Sequence, residues 1–466
     1  MNSREIKRAL IILLLICNLP VTSSPTVEKN EYRERREMLM NLIPDGITIV
    51  LGANTPLCNE QFYQNNDFYY FTGAEIPDAI LVMDAAAGNS IMFFSVDANT
   101  IRALGLPEEV IDDPVNETGM DMVLPLEDFI EWLGKRIEEG INIHTIFYPE
   151  ELPRENTKEK RILIDKTMTS NPLDGRLSRE LQFVKNIGTW HPSVSISDCS
   201  SIIWDMRRIK SESEIGIIRK ACALNVKAHM ATMMATRPGV PEYRLASLFE
   251  YTCRNGGAMG LSFETIIMSD KNLNYGHYWK HDGILKDGGI VILDAGPDYE
   301  YYDVDISTTF PVNGRFSEKQ NYYYQLAYDI SRFCISSYKP GITFGEIGQK
   351  VKKFLSDKGL DPDDPLFRNV IRYAGYNHTV GLATHDPQGS FAGPEEVLKP
   401  GFVFVCDIGF NTRLISPVPG EEISIRIEDV VVITKDGCEL LSDGLPRSIP
   451  EIEKYMNNNR KKNESH

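Results

Sequence analysis

No two of the eight cysteines in this 466-residue chain stand close together. That excludes a disulfide-stapled scaffold and a zinc knuckle, and with Cys17 set aside in the N-terminal segment, the seven others are an odd, scattered set that reads as buried thiols. Positive charge is also scarce: 49 Lys and Arg against 66 Asp and Glu leave a formal charge of −17. Such a surface repels nucleic acid and anionic lipid, and it favours a small or peptide substrate. A long membrane-spanning run is missing too, since the apolar stretch Ala9 to Cys17 is too short for a comfortable span. With Arg4, Lys7 and Arg8 ahead of it and small polar residues behind, it has the build of a signal peptide over 1–24. The expectation is export, to a periplasm or out of the cell, with no stable membrane insertion after cleavage.

What is present is enough apolar residue, 42%, for two ordinary domains. Residues 25–200 read as a mixed α/β domain, with a charged helix in EYRERREMLMNLI, strands in GITIVLGA and AILVMDA, and IIWDMRRIK leading out. No cluster of catalytic residue types occurs there. A second domain, 205–450, opens at SESE, where Ser211 and Glu214 form a capping box ahead of Ile215, Ile218, Cys222, Val226 and Met230 at helical spacing. Met233 and Met234 read as packing before RPGV ends that helix. The polar stretch 451–466, EIEKYMNNNRKKNESH, reads as a frayed tail.

Inside the second domain the chain repeats itself. A helix ending in RPGV at 237–240 is matched by one ending in KPGI at 339–342, and LKDGGIVILDAG at 285–296 is matched by LKPGFVFVCDIG at 398–409. In register, Leu285, Lys286, Gly288, Asp294 and Gly296 correspond to Leu398, Lys399, Gly401, Asp407 and Gly409. Asp305 stands nine residues before Gly314 and Glu428 nine before Gly437, each expected to open a strand that ends in a turn.

Two related halves thus supply two carboxylates each. Four acids converging in a fold repel one another by several kcal/mol at reduced dielectric, on the order of what a bound cation must offset. Hard oxygen ligands with one imidazole suit a divalent ion such as Mn²⁺, Zn²⁺ or Co²⁺, and bridging carboxylates suit two ions roughly 3.5 Å apart. The imidazole comes from NHTVGLATHD, where His378 and His385 flank Gly381 in a strand-like run, with the glycine expected to admit a close backbone or ligand.

These residues resemble the pita-bread-fold metallopeptidases, specifically the aminopeptidase P and prolidase branch. The resemblance covers nearly the whole chain after residue 24. YRERREMLMNLIPDG and NNDFYYFTGAEIPDAILVM look like the family's N-terminal accessory domain, and RRIKSESEIGIIRKA like the start of its catalytic domain. It implies an α+β architecture: a pita-bread catalytic domain with a pseudo-twofold internal repeat, preceded by that mixed α/β domain. It assigns Asp294 to one metal, Asp305 and Glu428 as bridges and His378 to the other metal; His277 in NLNYGHY and His385 become substrate-facing imidazoles, and Arg426 the cation beside the bridging glutamate. The family's fifth ligand is a glutamate in an EPG-like motif, where CDIG puts Asp407, one methylene shorter. That residue is then both ligand and proton carrier. Ala374 stands where many relatives carry a further histidine.

The implied cofactor is a pair of divalent ions, Mn²⁺ first, with Zn²⁺ or Co²⁺ as alternatives. The implied activity is hydrolysis of the bond between an N-terminal residue and a following proline, by a chain that assembles as a homo-oligomer. A prolidase-type dipeptidase is the alternative, and a non-catalytic peptide-binding protein of the same fold is the alternative from another class.

Overall fold

The computed structural model describes residues 27–56, 61–147, 165–387, 393–411 and 423–463. The segment 1–24, expected to be a signal peptide, lies outside the described residues.

The accessory domain is built on a six-stranded sheet in the order β4-β3-β2-β1-β5-β6. Its strands are β1 (Ile47–Leu51), β2 (Ile80–Asp84), β3 (Asn89–Phe93), β4 (Met122–Leu124), β5 (Ile143–Thr145) and β6 (Ile196–Asp198). The central strands are buried along almost their whole length because both faces are covered. The charged helix Lys29–Leu42 lays Tyr32 and Leu39 inward together with Arg35 and Arg36. Both arginines are satisfied by carbonyls, Arg35 bonding Tyr70 O at 3.0 Å and Arg36 bonding Phe71 O at 2.8 Å.

After the helix Ser200–Arg208, the capping box at Ser211 and Glu214 starts the long helix Glu212–Ala235. Ile215, Ile218, Cys222 and Val226 are buried along its core face, and Met230 is partly so. Met233 is fully buried as expected, but Met234 is 39% exposed. Successive helical residues point about 100° apart, so a pair cannot share one face.

The sheet of the second domain orders its strands β13-β14-β15-β12-β9-β8, with β16 paired to β15. The first half contributes β8 (Ile266–Ser269), β9 (Ile290–Ala295) and β12 (Ile306–Pro311); the second contributes β13 (Tyr376–Thr379), β14 (Val403–Asn411), β15 (Ser424–Ile433) and β16 (Cys438–Leu440). Each half therefore contains an antiparallel triplet, and the two meet at β12 and β15. A small sheet of β7 (Gly260–Leu261), β10 (Pro297–Tyr299) and β11 (Tyr302–Asp303) branches off the first half.

The turns expected to be equivalent are so bond for bond. Gly239 N donates to Leu285 O at 2.8 Å and Leu285 N to Val240 O at 3.0 Å, while Gly341 N donates to Leu398 O and Leu398 N to Ile342 O, both at 2.9 Å. Glycine is required at both turns, where φ is +85° and +81°. The stretch after Pro450 departs from expectation. Residues 449–463 form the helix Ile449–Asn463, which buries Ile452 and Met456, and Glu453 accepts from Phe316 N at 3.0 Å. Polar composition hid two apolar residues one helical turn apart, enough to dock the helix.

Candidate metal centre

Strand register puts the acids in one row. Asp294 on β9 faces Ser307 on β12, Ser307 faces Glu428 on β15, and Glu428 faces Asp407 on β14. Directly opposed residues point to the same side of a sheet, and so does a residue two positions along. Asp305, two before Ser307, therefore joins the row from just ahead of β12. His378 arrives from β13, which lies at the sheet's outer edge beside β14.

Asp305, His378 and Glu428 each offer a ligand atom within 4.8 Å of the others, and all three are buried. His378 Nε2 lies 3.3 Å from Asp305 Oδ2 and 3.8 Å from Glu428 Oε1. Burial first, and then the neighbouring Asp294, push the Asp305 carboxyl well above the usual range; burial and then Asp305 do the same to Glu428. Asp407 is also raised, by burial, against the pull of Arg426. Burial works against charge on Arg426, but Asp294, Asp407, Glu428 and Asp305 outweigh it and drive that pKa up.

A divalent cation fits this cluster. Oδ1 of Asp294, of Asp305 and of Asp407 is buried with no hydrogen-bond partner, which in a native interior calls for another positive partner. The donor set, carboxylate oxygens and one imidazole nitrogen, is that of a hard to borderline ion. Arg426 pairs with Asp294 Oδ2 and is the fixed cation of the cluster, placed by β15 two residues before Glu428.

The ring of His385 packs edge-on to that of His378, 4.1 Å between centroids. Its neighbour Asp386 explains the placement: this buried carboxylate pairs with Arg207 and Lys210 and accepts from Leu382 N at 3.0 Å. Arg207 in turn donates to Asp67 of the accessory domain at 2.6 Å. His277 is placed differently. It is exposed on the loop after the short helix Asp270–Asn274, beside the stacked rings of Tyr275 and Tyr278, and no described contact joins it to the acids.

Three expectations about local structure change. Glu428 does not open its strand but lies in the middle of β15, because pairing with β14 runs on past it to Ser424. The strand through His378 ends at Thr379, so Gly381 lies beyond it. A Cβ at Gly381 would sit 2.1 Å from Asp386 Oδ2, so the close neighbour it admits is a side chain.

Two contacts to the acids had no sequence signal beyond adjacency. Ser307 Oγ donates to Glu428 Oε2 at 2.8 Å, and Asn377 Nδ2 donates to Asp407 Oδ2 at 3.1 Å. Ala374 caps the helix Arg368–Tyr373 with φ of +51° and is fully buried.

The metallopeptidase family M24 model matches residues 216–435, and the model of the aminopeptidase P N-terminal domain matches residues 32–144. The Xaa-Pro aminopeptidase of Escherichia coli is 27% identical over 92% of this chain and 98% of its own length; the mouse Xaa-Pro aminopeptidase 3 is 28% identical over 93% and 87%. Among solved structures, a putative aminopeptidase P from Bacillus anthracis superposes with a TM-score of 0.78 at 26% identity, covering 93% of this chain and 99% of its own. Zinc-substituted E. coli aminopeptidase P in complex with product superposes with a TM-score of 0.73 at 25% identity, with the same coverage.

Proposed function

Because the chain belongs to the aminopeptidase P branch of the pita-bread metallopeptidases, we propose that it is a metal-dependent aminopeptidase that removes an N-terminal residue from a peptide whose second residue is proline. The observation that carries this reading is the buried group Asp305, His378 and Glu428 within the M24 match. Asp294, Asp305, His378, Asp407 and Glu428 would hold two divalent ions, Mn²⁺ by preference, with Zn²⁺ or Co²⁺ as alternatives. Such ions, when bound, supply Lewis acidity that brings the pKa of water to about 7 and stabilises negative charge on a peptide carbonyl.

The remaining work falls to the chain's own side chains. Arg426 fixes Asp294 and Ser307 fixes Glu428, so the acids cannot swing apart. Asn377 donates to Asp407 Oδ2 and so orients that carboxylate, which would take the proton released by water and return it to the prolyl nitrogen as the C–N bond breaks. His385, and His277 from its exposed loop, would donate to the substrate carbonyl oxygen. The bond itself is a tertiary amide with no N–H and two isomers, which favours a dedicated enzyme. On sequence grounds we also propose that the chain is exported, to a periplasm or extracellular space, and acts as a homo-oligomer.

The deciding experiment is release of the free N-terminal residue from an Xaa-Pro-Yaa tripeptide and an Xaa-Pro dipeptide, with Mn²⁺-reconstituted protein of measured metal content. Tripeptide cleavage supports the aminopeptidase. Cleavage of the dipeptide alone would make it a prolidase, and inactivity with no bound metal would favour a peptide-binding protein.

A further inference from the structure

We propose that Arg447 is a positioning residue for the metal centre: its guanidinium holds together the seam between the two halves of the sheet and thereby fixes the backbone that carries Glu428. The inference rests on the metal-centre reading given above.

The halves meet at β12 and β15 through a single opposed pair, Ser307 and Glu428. After Glu428 that edge of β15 turns to β16, with Val431 against Leu440 and Leu441 N donating to Val430 O at 2.9 Å, and before it the backbone of Arg426 bonds the side chain of Thr309 instead of a β12 backbone group. One pair is a weak ladder on which to align Asp305 from one half with Glu428 from the other. Slip at this point would move one ligand relative to its partners.

Side chains do what the ladder does not. Arg447 Nη1 donates to Ser307 O at 2.7 Å and to Thr308 Oγ1 at 3.2 Å, and Nη2 donates to Glu428 O at 2.5 Å. The same fork reaches Asp429 Oδ1 from Nε at 3.1 Å and from Nη2 at 2.7 Å. One planar cation thus bonds the carbonyls of both seam residues, in a site where its side chain is 5% exposed. Thr309 adds a second stitch, donating to Arg426 O at 2.8 Å and accepting from Arg426 N at 2.9 Å. A lysine in place of Arg447 keeps the charge but has no fixed fork to span the two strands.

The test is a Co²⁺ titration of the full chain, followed by visible absorption, for the unmodified protein, Arg447→Lys and Thr309→Val, with thermal unfolding measured on the same samples. Loss of a group that orients metal ligands costs about tenfold or more in metal affinity. The expected result is a loss of about that size for Arg447→Lys, with an altered absorption spectrum, and a smaller loss in the same direction for Thr309→Val. Folded Arg447→Lys that titrates as the unmodified protein does, with the same spectrum and only a lower melting temperature, overturns the proposal. If Arg447→Lys does not fold, Thr309→Val decides, and an unchanged Co²⁺ affinity there overturns it. Unmodified protein that binds Co²⁺ yet cleaves no Xaa-Pro peptide sinks the proposed activity, while the affinity comparison still stands.

Discussion

Between residues 237–314 and 339–437 the chain builds one antiparallel unit twice, yet its acids sit differently in the two copies. In the second copy Asp407 and Glu428 face each other directly across β14 and β15. In the first, Asp294 faces Ser307, and Asp305 stands two residues earlier, before its strand begins. An offset of two keeps a side chain on the same face, whereas an offset of one would turn it to the other. The space is taken up by the β10–β11 hairpin, whose tip residues Glu300 and Tyr301 have φ of +52° and +69°. That tip is docked on the accessory domain: Tyr301 stacks on Tyr69 at 4.1 Å and donates to Glu75 Oε1 at 2.7 Å. The turns could not drift this way, since each leucine of the LKxG motif is held by two backbone bonds. Packing thus preserved the repeat tightly, while the acids needed only to keep their face.

The comparison can be broken most forcefully at the proposed bridges. Asp305→Ala and Glu428→Ala are each expected to abolish hydrolysis and lower bound metal together, by more than the roughly hundredfold seen when a supporting residue is lost; metal analysis beside the peptide assay checks this. Full activity in either variant would refute its bridging role.

The clamped leucines come next. Leu285 and Leu398 are 2% and 1% exposed, and Leu→Ala at each should cost about 2–5 kcal/mol in chemical denaturation. Near-equal losses would extend the equivalence to energetics, and a gap of more than about 2 kcal/mol, the width of ordinary site-to-site variation, would end it.

A smaller effect separates the copies. The helix Phe344–Asp357 starts from a capping box of Thr343 and Glu346, but its counterpart Glu242–Asn255 follows Pro241 with no side-chain cap. Thr343→Ala should cost about 1 kcal/mol. Glu242 has another task, accepting from Ser269 N at 2.7 Å and Gly283 N at 2.9 Å, so Glu242→Gln should leave the helix start intact and loosen the strand and loop it ties. Hydrogen exchange at Ser269 and Gly283 would report that, and unchanged protection would count against it.

The mildest change sharpens the contrast at Asp407. Asp407→Glu should retain metal and raise turnover of an Xaa-Pro-Yaa peptide by a few-fold, about 1 kcal/mol or less in barrier height. A large loss of metal would mean that the pocket, with Asn377 bonded to that carboxylate, is built for aspartate.

How much of this was legible follows from what each signal depends on. The sheet was readable because an apolar strand followed by an acid occurs twice, and repetition is a property of the string itself. The helix at 212–235 was readable through local chemistry at Ser211 and Glu214. Strand ends were not, since β14 and β15 continue for as long as they pair with each other, and pairing is set by residues far away in sequence. Met234 was misjudged by adjacency and the described residues 451–463 by composition, though Ile452 and Met456 at a four-residue spacing carried a faint signal. Ser307, Asn377 and Arg447 were invisible for another reason: their partners lie 121, 30 and 18 or more residues away.

The position of Arg447 in the chain also bears on how the protein is made. Every residue proposed to hold metal precedes it, and synthesis runs from the N-terminus at roughly 5–20 residues per second. A nascent chain can therefore present all five candidate ligands before the residue that ties their strands together has emerged. On the proposed role of Arg447, the site therefore reaches its full metal affinity only once that residue has joined the sheet, late in the order of synthesis.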